Sequence, residues 1–116
     1  MPERTEQFNS EGKSLEEKKI KYKGKIIEVA NLLIDNYNNK KIKNSYYNNQ
    51  LTILWFCFNI VIECSNPSLK EQLIQKALEL HKKIEDVRYA KGTREEKLAF
   101  IKEVKASLKE FCEALD

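Results

Sequence analysis

Apolar residues along the chain recur mostly at three- and four-residue steps, the rhythm of amphipathic helices. In the first third they fall at Ile26, Ala30, Leu33 and Tyr37, with Ile27 and Ile34 alongside. Ser14-Leu15-Glu16-Glu17 has the form of a capping box, so this helix is expected to open there. Residues 1–13 are polar and aperiodic and read as a flexible N-terminal tail. Lys18, Lys19, Lys21, Lys23 and Lys25 crowd the first turns, where the macrodipole disfavours cations. Gly24 in a helix interior costs about 1 kcal/mol relative to alanine, and fraying is expected before residue 25. The run Asn36-Tyr37-Asn38-Asn39-Lys40-Lys41 breaks the pattern and predicts a loop around residues 38–44.

A second helix is predicted from Ser45 to Cys64. Leu51, Ile53, Leu54, Trp55, Phe56, Cys57, Phe58, Ile60, Val61 and Ile62 make it apolar nearly all round. Its β-branched and aromatic content also suits a buried strand. Its length and the lack of any partner strand decide for helix. Asn66-Pro67 is a start signal, since Asn66 can cap and Pro67 loses nothing at the first helical position. Leu69, Leu73, Ala77, Leu80, Ile84 and Val87 then mark a third helix, ended at Lys91-Gly92 with Gly92 in the left-handed position after it. Thr93-Arg94-Glu95-Glu96 is another capping box, and Ile101, Val104, Leu108, Phe111 and Leu115 carry a fourth helix to the end. The expected architecture is an all-α, antiparallel four-helix bundle with short loops. It forms a single domain over residues 14–116, preceded by the tail.

Composition narrows the function. Charged residues are 34% of the chain, above the roughly 25% of an average domain, which suits long helices with solvated faces. One histidine and three glycines leave few catalytic or nucleotide-binding constellations to assemble. His81 has no nucleophile near it in sequence and reads as a surface or boundary residue. Cys57, Cys64 and Cys112 lack the C-x₂₋₄-C spacing of a zinc site and read as small buried hydrophobes. A di-metal carboxylate bundle needs Glu-x-x-His, and Leu78 stands three residues before His81. No enzyme activity, cofactor, metal or small-molecule substrate is expected. The longest apolar run, Leu51 to Ile62, falls short of the roughly 20 residues of a membrane span. No secretory leader pattern opens the chain, and the cysteines are not paired in spacing, so a reducing cytoplasmic location is expected.

Two surface features suggest partners. Trp55, Phe56 and Phe58 point about 100° apart per residue and cannot all face one bundle core. Either the second helix is central and covered by three neighbours or by the tail, or, with Ile62, these residues form an exposed apolar strip for self-association or for another protein, and the strip is the expectation taken. The net charge of +3 is concentrated early, at −2 over residues 1–12, +5 over 13–43 and zero beyond. Lys18, Lys19, Lys21, Lys23, Lys25, Lys40, Lys41 and Lys43 could contact a polyanion, although a solvated helix face is the commoner meaning of such a run. The alternative function is a monomeric regulatory, immunity or inhibitor-type protein that docks on one protein target.

The segment Leu78-Glu79-Leu80-His81-Lys82-Lys83-Ile84-Glu85-Asp86-Val87-Arg88, with the ending Ile60-Val61-Ile62-Glu63 of the apolar helix, resembles a group of bacterial four-helix-bundle accessory proteins. These are the variability-determinant proteins of diversity-generating retroelements and their relatives encoded in ribosomal RNA intervening sequences. The resemblance covers residues 14–115 and rests on helix order and hydrophobic rhythm. It implies a homo-oligomer, typically a pentamer, with a basic surface for nucleic acid and a reverse transcriptase. It adds Arg88 to the candidate polyanion contacts. The ending Phe111-Cys112-Glu113-Ala114-Leu115 departs from the glycine-and-tryptophan ending of the retroelement branch.

Overall fold

The computed structural model describes residues 2–115, with side chains from Ser14 to Leu115. Four helices make up the described chain: α1 (Pro2–Asp35), α2 (Asn44–Glu63), α3 (Lys70–Tyr89) and α4 (Arg94–Leu115). A single 3₁₀ turn, Pro67–Leu69, leads into α3. The fold is a four-helix bundle, as the periodicity predicts. Residues 2–13, read from sequence as a flexible tail, belong to the backbone of α1, and their side chains lie outside the described ones.

The stripes read from sequence are mostly the buried ones, but Ile27 is 38% exposed and Tyr37, Leu69 and Ile101 are half-buried at the edge of the core. Ile26, Ala30, Leu33 and Ile34 of α1 are buried, joined by Val29. In α3 the buried set is Leu73, Ala77, Leu80, Ile84 and Val87. In α4 it is Val104, Leu108, Phe111, Cys112 and Leu115. Together with Leu51, Leu54, Phe58, Val61 and Ile62 of α2 they form one core cluster. Phe58 and Phe111 meet edge to face at 5.0 Å, joining α2 to α4 across the centre. Ion pairs pin the outside: Lys105 Nζ lies 3.2 Å from Asp35 Oδ1, and Lys83 Nζ lies 3.4 Å from Glu103 Oε1. Lys83 also donates to Ser107 Oγ at 3.0 Å.

The turns follow their residues, with shifts in boundary. Between α1 and α2, Asn36 Nδ2 donates back to the Leu32 carbonyl at 2.9 Å, and Lys41 N donates to Asn39 Oδ1 at 3.0 Å. Asn66 accepts from Ser68 N at 3.0 Å and caps the turn before α3. Glu96 N donates to Thr93 Oγ1 at 3.2 Å, which caps the start of α4, and the Thr93 hydroxyl lies 3.3 Å from Glu96 Oε1. α3 stops at Tyr89, two residues before the predicted end. Its cap residue Ala90 is extended, and Gly92, with φ 122°, bends the loop into α4. A Cβ on Gly92 would meet Glu96 Oε2 at 2.6 Å.

The main difference concerns α1. The capping box at Ser14 lies inside the helix, which runs on from Pro2 through Gly24 without a break. A serine followed by two glutamates starts a helix only where the preceding residues leave it, and here they continue it. At 34 residues α1 is about 51 Å long. Its partners have 20 to 22 residues, about 30–33 Å. Since Tyr47 near the start of α2 sits beside Leu33 near the end of α1, the pair is antiparallel and the excess length lies at the N-terminal end. The resulting molecule is 65 Å along its longest axis and 16 Å along its shortest.

Candidate interaction surface

The four aromatic and aliphatic residues expected to form one exposed strip on α2 divide between inside and outside. Phe58 is fully buried and Ile62 is 5% exposed. Both belong to the core, which corrects their assignment to a self-association surface. Helix α2 packs against α1 and α3 and reaches α4 through Phe58, so more than half its circumference is covered. Trp55 is half-buried at the edge of the core. Its ring meets Phe58 at 6.2 Å and His81 at 5.5 Å, both edge-on. Phe56 alone turns to solvent, 60% exposed, with Ile53 one turn earlier at 38%.

Phe56 and Ile53 form one wall of an open groove of about 710 Å³ between α1 and α2. Tyr22, Lys21, Lys25 and Glu28 of α1 face them, and Cys57 and Gly24 complete the lining. Gly24 borders open space, where a Cβ would find no atom within 4 Å. The chemistry is that of a docking surface: an aromatic and an aliphatic side chain exposed together, with two ammonium groups at the rim. Lys25 Nζ lies 3.9 Å from Glu28 Oε1, and Lys21 Nζ sits 5.6 Å from the Tyr22 ring centre. Further apolar side chains are exposed on other sides of α1: Leu15 is 51% exposed, and Ile20, 63% exposed, lines a separate hollow with Glu16, Lys19, Lys23 and Ile27. Sequence periodicity did not single out Leu15 or Ile20, because both precede the recurrent core stripe.

The candidate polyanion contacts do not converge. Lys18, Lys21 and Lys25 are exposed at three- and four-residue steps and share a side of α1. Lys19 and Lys23 lie on another side and are half-buried. Lys40, Lys41 and Lys43 are exposed in the loop past the opposite end of α1. The rise from Lys18 to Asp35 alone is about 25 Å.

Arg88 turns inward, correcting its place among the polyanion contacts. Its guanidinium stacks 4.5 Å from the centre of the buried Tyr47 ring, and Nη2 donates to the Ile42 carbonyl at 2.7 Å. Nη1 is buried without a hydrogen-bond partner. The Tyr47 hydroxyl lies 3.3 Å from both the Leu33 and the Ile84 carbonyl oxygens. Burial pushes this hydroxyl up to about 12, with the Arg88 charge opposing the rise and Tyr89 adding to it.

The remaining reactive side chains serve packing. Nε2 of His81 lies 3.0 Å from the Leu51 carbonyl. A carbonyl only accepts, so Nε2 carries the proton in this contact. Cys57, Cys64 and Cys112 are free thiols, and burial raises the Cys57 thiol against the weaker pull of Lys25. That keeps it from the reactive thiolate form at neutral pH. Among the described residues no cluster of histidine, cysteine and carboxylate side chains could hold a metal ion. None of the described helices is long and apolar enough to cross a membrane. Comparison of the chain with protein-family models, with curated proteins and with solved structures finds no match.

Proposed function

We propose that the chain is a non-catalytic, self-associating docking protein whose contact surface is the groove between α1 and α2. The observation that carries this reading is the exposure of Phe56 beside Ile53 over an open groove between α1 and α2. Covering the exposed part of Phe56 is worth about 1–2 kcal/mol, enough to matter at the centre of a small interface. The suggested resemblance to self-associating bundle proteins points the same way. The free cysteines suit a reducing cytoplasm. With the lysines spread over two ends of α1 and Arg88 stacked inside, a polyanion contact is secondary and is confined to the stripe Lys18, Lys21 and Lys25.

The test is light scattering coupled to size exclusion, over a range of concentrations, on the wild type and on Phe56→Glu. The expected result is a discrete oligomer that Phe56→Glu converts to a monomer with unchanged helix content. Trp55→Glu is the poorer probe, because Trp55 also packs on Phe58 and His81. A wild type that stays monomeric at every concentration overturns the reading. It would favour the alternative, a monomeric regulator that docks this groove on one protein target.

A further inference from the structure

Independently of the self-association reading, we propose that the end of the bundle where α1 gives way to α2 carries a binding site for a small phosphate monoester. The site is an open hollow of about 460 Å³ between the α1–α2 loop and the first turns of α4, lined by Tyr37, Asn38, Arg94, Lys97 and Leu98. Its lining holds two cations, a phenol and an amide that can donate, and no carboxylate. It is distinct from the groove that Phe56 borders: Gly24, on that groove, is about 16 Å along α1 from Asp35.

The polar groups of this hollow are left without internal partners because their neighbours take them. Asn36 donates back to the Leu32 carbonyl and Asn39 accepts from Lys41 N, which builds the turn, whereas the Asn38 side chain is exposed and has no partner among the described residues. The carbonyls at the end of α1 would otherwise draw cations, but they are already supplied: Leu32 by Asn36, Leu33 by the Tyr47 hydroxyl and Ile34 by Tyr37 N. Asp35, the carboxylate at that end, is held by Lys105. Lys97 is half-buried and, like Arg94, has no ion-pair partner among the described residues. Asp86 and Glu96 line a separate hollow that Lys97 also borders.

Arg94, Lys97 and Leu98 share a side of α4 at three- and four-residue steps, and Glu95 and Glu96 fall on others. Two like charges one turn apart, at the positive end of the macrodipole, oppose the start of the helix. A bound dianion reverses both effects. The two cations match the two charges of a phosphate monoester. The Arg94 guanidinium can hold two of its oxygens side by side, and Lys97, Asn38 and Tyr37 supply further donors. A phosphate group alone does not fill the hollow. The Tyr37 ring and Leu98, 46% exposed, offer apolar surface to the group that carries the phosphate.

The test is isothermal titration calorimetry of the full chain at physiological ionic strength with three probes: phenyl phosphate, inorganic phosphate and benzoate. Phenyl phosphate is expected to bind about fivefold or more tighter than inorganic phosphate, which lacks the ring, and than benzoate, which carries one charge. Arg94→Gln with Lys97→Gln should weaken it about tenfold or more. Lys40→Gln with Lys41→Gln removes two exposed charges from the same loop outside the hollow, and should leave binding unchanged. Without ligand, the Arg94→Gln, Lys97→Gln variant should melt no earlier than the wild type, since it relieves like charges at the start of α4. Absence of saturable binding, an equal loss in both double variants, or an earlier melt of the Arg94→Gln, Lys97→Gln variant overturns the inference. Inorganic phosphate or benzoate binding as tightly as phenyl phosphate overturns the assignment to a monoester. None of these substitutions touches the groove beside Phe56, so self-association stands or falls separately.

Discussion

Replacing Tyr47 with phenylalanine removes one oxygen from the centre of the bundle and nothing else. The hydroxyl reaches the Leu33 and Ile84 carbonyls, each at 3.3 Å. Leu33 lies in the last turn of α1, where the chain turns so that Tyr37 N donates to the Ile34 carbonyl instead. The Tyr47 hydroxyl therefore serves a carbonyl that the helix leaves short of a donor. Loss of a buried hydrogen bond, with an acceptor stranded behind it, costs about 1–2 kcal/mol at neutral pH. For a chain of this length that lowers Tm by about 4–8 °C.

The pH dependence carries the opposite sign. The hydroxyl is held near 12 by burial, against an unfolded value of about 10. Its neutral form therefore favours the fold. That contribution is complete below pH 10 and is lost as pH rises from 10 to 12, removing about 2 kcal/mol from the wild type and none from Tyr47→Phe. Urea denaturation followed by circular dichroism, in steps from pH 7 to pH 12, should show the wild type more stable at the lower end. The gap should close or reverse at the upper end. A constant gap across this range would refute the assignment of a buried, hydrogen-bonded hydroxyl.

Arg88→Lys should lower the urea midpoint by an amount equivalent to about 1–2 kcal/mol, since an ammonium keeps the charge but loses the flat stack on Tyr47 and the directed bond to Ile42. A midpoint unchanged from wild type would show that the stack contributes nothing net. Gly92→Ala should cost about 1–3 kcal/mol by the same assay, because alanine meets both an unfavourable positive φ and the Glu96 carboxylate. A neutral result would mean that the loop relaxes to another path.

The parts of this fold legible in the sequence are those where polar and apolar residues alternate with a clear phase. The α3 stripe from Leu73 to Val87 names its buried side because Glu79, Lys82 and Glu85 mark the other side. Asn66 and the Thr93–Glu96 pair act within three residues of themselves, so their capping is visible locally. In α2 the phase disappears. Phe56 and Phe58 differ by two positions in an unbroken apolar run, and only the placement of three neighbouring helices decides that Phe58 is core and Phe56 surface. Ser14 failed as a start signal because a capping box favours a helix start without compelling one, and here the preceding residues already continue the helix. The Tyr47–Arg88 contact links residues 41 positions apart, beyond the reach of any periodicity. The groove has the same origin: Tyr22 and Phe56 share it only because α1 and α2 fold back on each other.

The Tyr47–Arg88 contact also bears on how the bundle comes apart. The helices pair first with their chain neighbours, α1 with α2 and α3 with α4, and such hairpins could in principle melt one at a time. Tyr47 belongs to the first hairpin, yet its hydroxyl is shared with Ile84 of the second. Arg88 of the second lies across the Tyr47 ring and holds the turn of the first through Ile42. Separating the two hairpins breaks the Tyr47–Ile84 contact, the Arg88 stack on Tyr47 and the Arg88 bond to Ile42 together. The loss is therefore incurred at the first separation rather than spread over the whole process, which disfavours half-open species. A bundle assembled from two local hairpins is in this way given the thermodynamics of one cooperative unit.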